Sequence, residues 1–249
     1  KHLHAGHAAM AGVLAADLAG GGMTGPTSIL EGREGFFHAY GRNIDAASVT
    51  QGLGEQFDVQ NVYFKLHAAC GHSFSAIDAI NELRAKIGPE AEVERVTVHT
   101  YHAAAILGEQ HPRSKAAAKF SIPYCVAVAW LHGRVTEDVF ADRFLNDPAI
   151  LQLARRVVPV EDAELEASFP GTRTARVRVE LTDGTSLEFR VDIPRGMPER
   201  PATEGELMAK FRGLAAPVIG SEASARLMEM VLQGAEQPVG ELMALTVPN

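Results

Sequence analysis

The sequence predicts an α+β protein in which helical segments flank a smaller α+β lid domain, and three observations carry that prediction. Near both ends apolar residues recur at helical spacing, as with Met10, Val13, Leu14 and Leu18. Val93, Val96 and Val98 lie in a β-branched run suited to a strand. Ala175, Val177, Val179 and Leu181 alternate with Arg176, Arg178 and Glu180 ahead of the turn Thr182-Asp183-Gly184-Thr185, the pattern of a hairpin with one buried face. The implied division is helical over 1–55, α+β over 56–200 and helical again over 201–249.

Taken in order, the first helix runs from His7 to Leu18 and stops at Gly20-Gly21-Gly22. Thr24-Gly25-Pro26-Thr27 is a turn that opens a short helix, and 44–54 reads as another, ending in Gly52-Leu53-Gly54. Val59, Val62 and Phe64 lead as a short extended segment into Lys65. Ser73 to Lys86 is helical through Ile77, Ile80 and Leu83, and Gly88-Pro89 ends it. With the Val93–Val98 strand this makes a strand-helix-strand unit. Residues 114–133 are an Ala-rich helix that Pro123 either kinks or divides. Thr136-Glu137-Asp138 and Asp147-Pro148 each open a further helix. After the hairpin, 204–214, 221–232 and 239–245 return to helical patterning.

With 249 residues, 46% of them hydrophobic, the chain is long enough for a sizeable core. Its net charge of -8 argues against nucleic acid, which requires a concentrated excess of Lys and Arg. No run of about 20 apolar residues suits a membrane span. Cys70 and Cys125 are too few for a disulfide framework, so the default setting is reducing and cytoplasmic. The chain begins at a lysine with an amphipathic helix almost at once, and it reads as a piece of something longer.

The chemistry-bearing stretch is Asn61 to His72, which sets Lys65, His67, Cys70 and His72 beside a helix start. Lys65 reads either as a base or clamp for a substrate carboxylate or as an exposed surface lysine. The spacing of His67, Cys70 and His72 fits no common zinc pattern, and no metal is expected. Cys70 reads better as a small buried hydrophobe than as a nucleophile. Lys1, His2, His4 and His7 form a second cationic cluster, either solvated or part of an anion site. Tyr124, three residues after Ser121, is by default a core tyrosine with a bonded hydroxyl, the sharper alternative being a catalytic phenol. None of the glycine clusters matches a phosphate loop.

Several segments, in order, resemble the MmgE/PrpD family: Lys1-His2-Leu3-His4-Ala5-Gly6-His7, Gly22-Met23-Thr24-Gly25-Pro26, Leu30-Glu31-Gly32-Arg33-Glu34-Gly35-Phe36, the Phe64-to-Asp78 stretch, Ala118-to-Ala127 and Lys210-Phe211. The resemblance implies a helical domain interrupted by an α+β lid, a homodimer, and proton transfer alpha to a carboxylate of a small di- or tricarboxylate without a metal or organic cofactor. Dehydration of the 2-methylcitrate type leads, with epimerisation and decarboxylation as alternatives. It also implies the site: Lys1, Lys65, His72 and Tyr124 as catalytic residues, and His4, Cys70 and Ser121 as substrate-binding ones. The family's first helical half is not in this sequence, so the other reading is a fragment or subunit that needs that half as a companion.

Overall fold

The alanine-rich opening of the chain forms one long helix, α1 (His2–Gly20), closed where Met23 N–H returns to the Leu18 carbonyl across Gly22 in its positive-φ conformation. The computed structural model describes residues 2–42, 44–234 and 238–247. They fall into two units, Lys1–Asp58 and Val59–Asn249.

In the first unit α1 is followed by α2 (Phe36–Tyr40) and a 3-10 turn at Ala46–Val49 capped by the Asp45 carboxylate. The short helix expected after Pro26 is instead a series of turns, closed by Gly32 N–H on the Ser28 carbonyl and Gly35 N–H on Gly32. The helix expected over 44–54 shrinks to that one 3-10 turn, because Gly52 and Gly54 take positive φ and leave the helical basin. No apolar side chain of this unit is buried among the described residues. Leu3, Met10, Val13, Leu14 and Phe36 are all more than half exposed.

The second unit holds the core. The extended segment expected at 59–64 is a 3-10 turn (Asp58–Asn61) followed by irregular chain. Within it Val62 N–H returns to the Val59 carbonyl and Phe64 N–H goes to Gly196, and beyond it Ala68 N–H goes to Val135 and Cys70 N–H to Lys119, so no ladder forms. A 3-10 turn at Gly71–Ser73 then enters α3 (Phe74–Ile87), whose Phe74, Ile77, Ile80 and Leu83 are buried. After Gly88, the strand β1 (Val93–Thr100) follows as expected.

Next come α4 (His102–Ala105), α5 (Lys115–Lys119) and α6 (Ile122–His132). Pro123 divides rather than kinks: it sits in the first turn of α6, and Ser121 caps that helix by accepting from Tyr124 N–H. A 3-10 turn (Glu137–Phe140) and α7 (Asp142–Leu145) precede α8 (Pro148–Ala154), which Asp147 caps. The strand β2 (Val157–Glu161) was not expected, since Pro159 interrupts its valine run. It lies at the sheet edge, where a proline is tolerated. After α9 (Ala163–Ser168), the hairpin forms from β3 (Ala175–Leu181) and β4 (Ser186–Val191).

The four strands make one mixed sheet in the order β2-β1-β3-β4, with β2 parallel to β1 and the other pairings antiparallel. Val96 pairs Val179 and Val98 pairs Val177, which puts four buried valines on one face. Helix α3 covers β3 and β4, α6 covers β2, and the two helices pack on each other around Trp130 and Ile77. Burying each such side chain stabilises by about 1.5–3 kcal/mol. The chain closes with α10 (Glu204–Ile219), begun by a capping box between Thr203 and Glu206, then α11 (Ser221–Leu232) and α12 (Val239–Ala244). The architecture is α+β, as expected. Among the described residues no helix is long and apolar enough to cross a membrane.

Candidate active site

Residues 65–73 run irregularly over the start of α3, and each side chain along them finds a different surrounding. Lys65 is exposed, with Nζ 5.9 Å above the Phe74 ring, while its carbonyl accepts from Lys210 Nζ at 2.6 Å. His67 turns inward and pairs Nε2 with the Asp78 carboxylate at 2.8 Å. The other Asp78 oxygen accepts the Arg195 backbone N–H at 2.6 Å and a longer contact from Arg200. Asp78 therefore ties three segments together: this loop, α3, and the turn that leads to α10. A cavity of about 640 Å³ lies alongside, lined by Leu66, His67, Arg134, Glu206, Lys210 and Leu214.

The far end of the loop is a second cluster. Cys70 is half-buried, and His72 Nδ1 lies 2.7 Å from the hydroxyl of Tyr101 at the end of β1. The Tyr101 ring is fully buried and stacks on Phe169 at 4.4 Å between centroids. Burial holds the phenol above its usual range, against a smaller pull from the Arg173 charge and reinforced by Cys70, so Tyr101 is a neutral hydroxyl. Across from this pair the Arg173 guanidinium lies against the bare backbone of Gly71: a Cβ built there would stand 3.3 Å from Nη1 and 3.6 Å from the Tyr63 hydroxyl. Arg173 is itself anchored, because its carbonyl accepts from Ser75 in the first turn of α3 at 2.5 Å.

Of the residues expected in the site, Lys65, Cys70 and His72 share this loop. Tyr124 is fully buried on α6 and donates its hydroxyl to the Val139 carbonyl at 2.7 Å; burial raises its pKa. In this arrangement the phenol is engaged with the main chain rather than presented to a ligand. Ser121 is likewise fully buried, capping α6 and donating to the Glu109 carbonyl. His4 is exposed on α1 in the first unit. Lys1 lies outside the described residues.

Asp78, Tyr101 and Arg173 were not singled out from the sequence. A carboxylate in the otherwise apolar run Phe74–Ile80 was the one local signal for Asp78; nothing local marks Tyr101 or Arg173. His67 and His72 serve different partners, and among the described residues no three His, Cys, Asp or Glu side chains are grouped as ligands for a metal.

An imidazole on a buried neutral phenol, beside a guanidinium and on a loop that also bears a lysine, is equipment for acid–base chemistry on a small anion. Comparison with known proteins gives this class a family. The MmgE/PrpD N-terminal domain matches residues 1–48 and the MmgE/PrpD C-terminal domain matches residues 67–234; the chain belongs to the MmgE/PrpD family. It is similar to cis-aconitate decarboxylase of Aspergillus terreus, 28% identical over 93% of this chain and 51% of that protein. It is also similar to 2-methylcitrate dehydratase of Salmonella typhimurium, 30% identical over 76% of this chain and 42% of that protein, and to cis-aconitate decarboxylase of Mus musculus, 26% identical over 93% and 49%. The chain spans about half the length of these curated relatives.

Proposed function

We propose that this chain forms the lid-side and C-terminal part of a lyase or isomerase that moves a proton at the carbon alpha to a carboxylate of a small di- or tricarboxylate. Dehydration of the 2-methylcitrate type is the leading reaction; decarboxylation of the cis-aconitate type and epimerisation are the alternatives, since all three pass through the same kind of carbanion. The observation that carries the reading is the pairing of His72, on the loop that also bears Lys65, with Tyr101 at the end of β1, both within the stretch that matches the family's C-terminal domain. An enediolate-like dianion requires nearby positive charge and donors, and that stabilisation is usually the largest catalytic contribution. Lys65 supplies charge; His72 exchanges the proton with Tyr101 holding its ring; Cys70 borders the substrate. Tyr124 and Ser121 shape the core behind the loop. The working assembly in this reading is a homodimer that needs neither metal nor organic cofactor.

The test is incubation of the full polypeptide carrying residues 1–249 with 2-methylcitrate, cis-aconitate and iminodisuccinate in D2O, followed by NMR of the carbon-bound deuterium. Incorporation alpha to a carboxylate, or formation of a dehydrated, decarboxylated or epimerised product, is expected. No exchange and no product from any of the three would end the proposal.

A second reading is favoured by the unburied apolar residues of α1 and by the half-length coverage of the relatives: the chain is a part that works only with a helical N-terminal half packed on it. Co-expression with that half of a relative should then create activity and protect α1 from hydrogen exchange. Turnover by residues 1–249 alone, unchanged by the companion, would refute it.

A further inference from the structure

Five arginines among the described residues are half-buried: Arg84, Arg173, Arg176, Arg195 and Arg200. Four direct the guanidinium at a protein acceptor: Arg84 the Trp130 carbonyl, Arg176 the Asp162 carboxylate, Arg195 the Glu206 carboxylate, and Arg200 that of Asp78. The Arg173 guanidinium has no hydrogen-bond or ion-pair acceptor among the described residues. Withdrawing a charge partly from water without a counter-charge is costly, and such a group is held in place only when something else makes up the difference.

Its surroundings have the form of a receptor for a planar anion. The guanidinium lies over Gly71, where the lack of a side chain leaves the backbone bare, and the Tyr63 hydroxyl lies on the same side. Next to it stands Tyr101, whose hydroxyl is paired with His72 and senses the Arg173 charge and that of Cys70. The frame is stiff: the Arg173 carbonyl is fastened to Ser75 of α3, and Thr174, next along the chain, accepts from Thr100 of β1 through its own carbonyl at 2.9 Å. A planar fork of five donors held this way matches a carboxylate in two-point contact, a geometry that a lysine cannot supply.

We infer that Arg173 is a substrate-binding residue that receives a carboxylate of a di- or tricarboxylate in the space over Gly71, orienting the neighbouring carbon toward His72. This inference rests on the proposed function. It adds that recognition of a second carboxylate is built in just ahead of β3, apart from the lysines.

The test is isothermal titration of cis-aconitate and of 2-methylcitrate into the full polypeptide carrying residues 1–249, with four variants. Arg173→Gln should weaken binding about 10- to 100-fold, the range of a lost charge-assisted contact. Arg173→Lys should recover only part of it, because charge returns without the fork. Gly71→Ala, which leaves Arg173 in place but crowds Nη1, should weaken binding roughly 3- to 10-fold by displacing the guanidinium a few tenths of an ångström. Arg190→Gln, the same charge change on exposed β4, should leave affinity unaltered. In turnover assays Arg173→Gln should raise KM more than it lowers kcat. If the unmodified protein binds a tricarboxylate and Arg173→Gln binds it within twofold, the inference is overturned while the proposed function stands. Equal loss in Arg190→Gln overturns it too, as a net-charge effect. If the unmodified protein binds neither compound, both fall together. Should Arg173→Gln not fold, Gly71→Ala decides alone, and unchanged affinity there overturns the inference.

Discussion

Replacing Asp78 with alanine tests how the site loop is held. The carboxylate is 8% exposed and carries two short bonds, to His67 Nε2 at 2.8 Å and from the Arg195 backbone N–H at 2.6 Å, with a long one from Arg200 at 3.4 Å. A hydrogen bond to a charged acceptor contributes about 1.5–3 kcal/mol, and the 3.4 Å contact adds little. Truncation leaves a buried N–H and a ring nitrogen without partners, so the second unit should lose about 3–5 kcal/mol. In urea, where slopes are about 1–3 kcal/mol per M, the unfolding midpoint should fall by roughly 1.5–2.5 M. Asp78→Asn should recover about half of this, because the amide oxygen can accept from Arg195 while its nitrogen donates to His67. Hydrogen exchange should then show residues 65–72 and the 195–200 turn loosening together in the alanine variant. A loss under about 1 kcal/mol, or loosening of one segment without the other, would refute Asp78 as the tie between them.

Further outcomes follow from the same geometry. Gly196→Ala places a Cβ against the Phe64 carbonyl at a residue with φ of +95°, and should cost about 2–4 kcal/mol in thermal or chemical unfolding; a neutral result would mean that 62–66 is not pinned there. Tyr101→Phe should cost about 0.5–1.5 kcal/mol and move the His72 ring-nitrogen signals in 15N NMR, whereas unchanged signals would dissociate the pair. Glu206 is held at about 2, chiefly by its bond to Arg195. A carboxyl depressed in the folded state stabilises above its unfolded value and loses that contribution as pH falls through the folded one. The capping box of α10 should therefore weaken between about pH 4.5 and 2, by about 1 kcal/mol after solvent screening. Glu206→Gln should flatten that part of the stability–pH curve, and an unchanged slope would contradict the assignment.

How far the sequence revealed all this depends on the range of the interactions. The β3–β4 hairpin and α3 were legible because period and turn chemistry act within a few residues, and Ser121 before Pro123 marked a helix start for the same reason. The segment 59–64 looked like a strand by composition, but Val62 N–H returns to the Val59 carbonyl and Phe64 N–H is taken by Gly196, which nothing nearby announces. Pro159 hid β2, since only the sheet order shows that it lies at an edge. In the candidate site, the loop from Lys65 to His72 was visible as a concentration of reactive side chains. Its partners were not, because Tyr101 lies 29 residues beyond His72, and Arg173 meets Gly71 only through tertiary packing.

The parallel pairing of β2 with β1 turns residues 101–156 into a single excursion that leaves the sheet at Thr100 and re-enters beside it, from Val96↔Val157 to Thr100↔Glu161. Helices α4 to α8 all lie within that excursion, so the β1–β2 pairing closes a long loop of chain whose entropy must be offset by their packing. The β3–β4 ribbon, by contrast, joins strands that are neighbours in the chain. The stretch between α4 and α5 is stitched into this circuit, since Gln110 donates to the Val157 carbonyl at the start of β2, so a change of length there would reach the re-entry point itself.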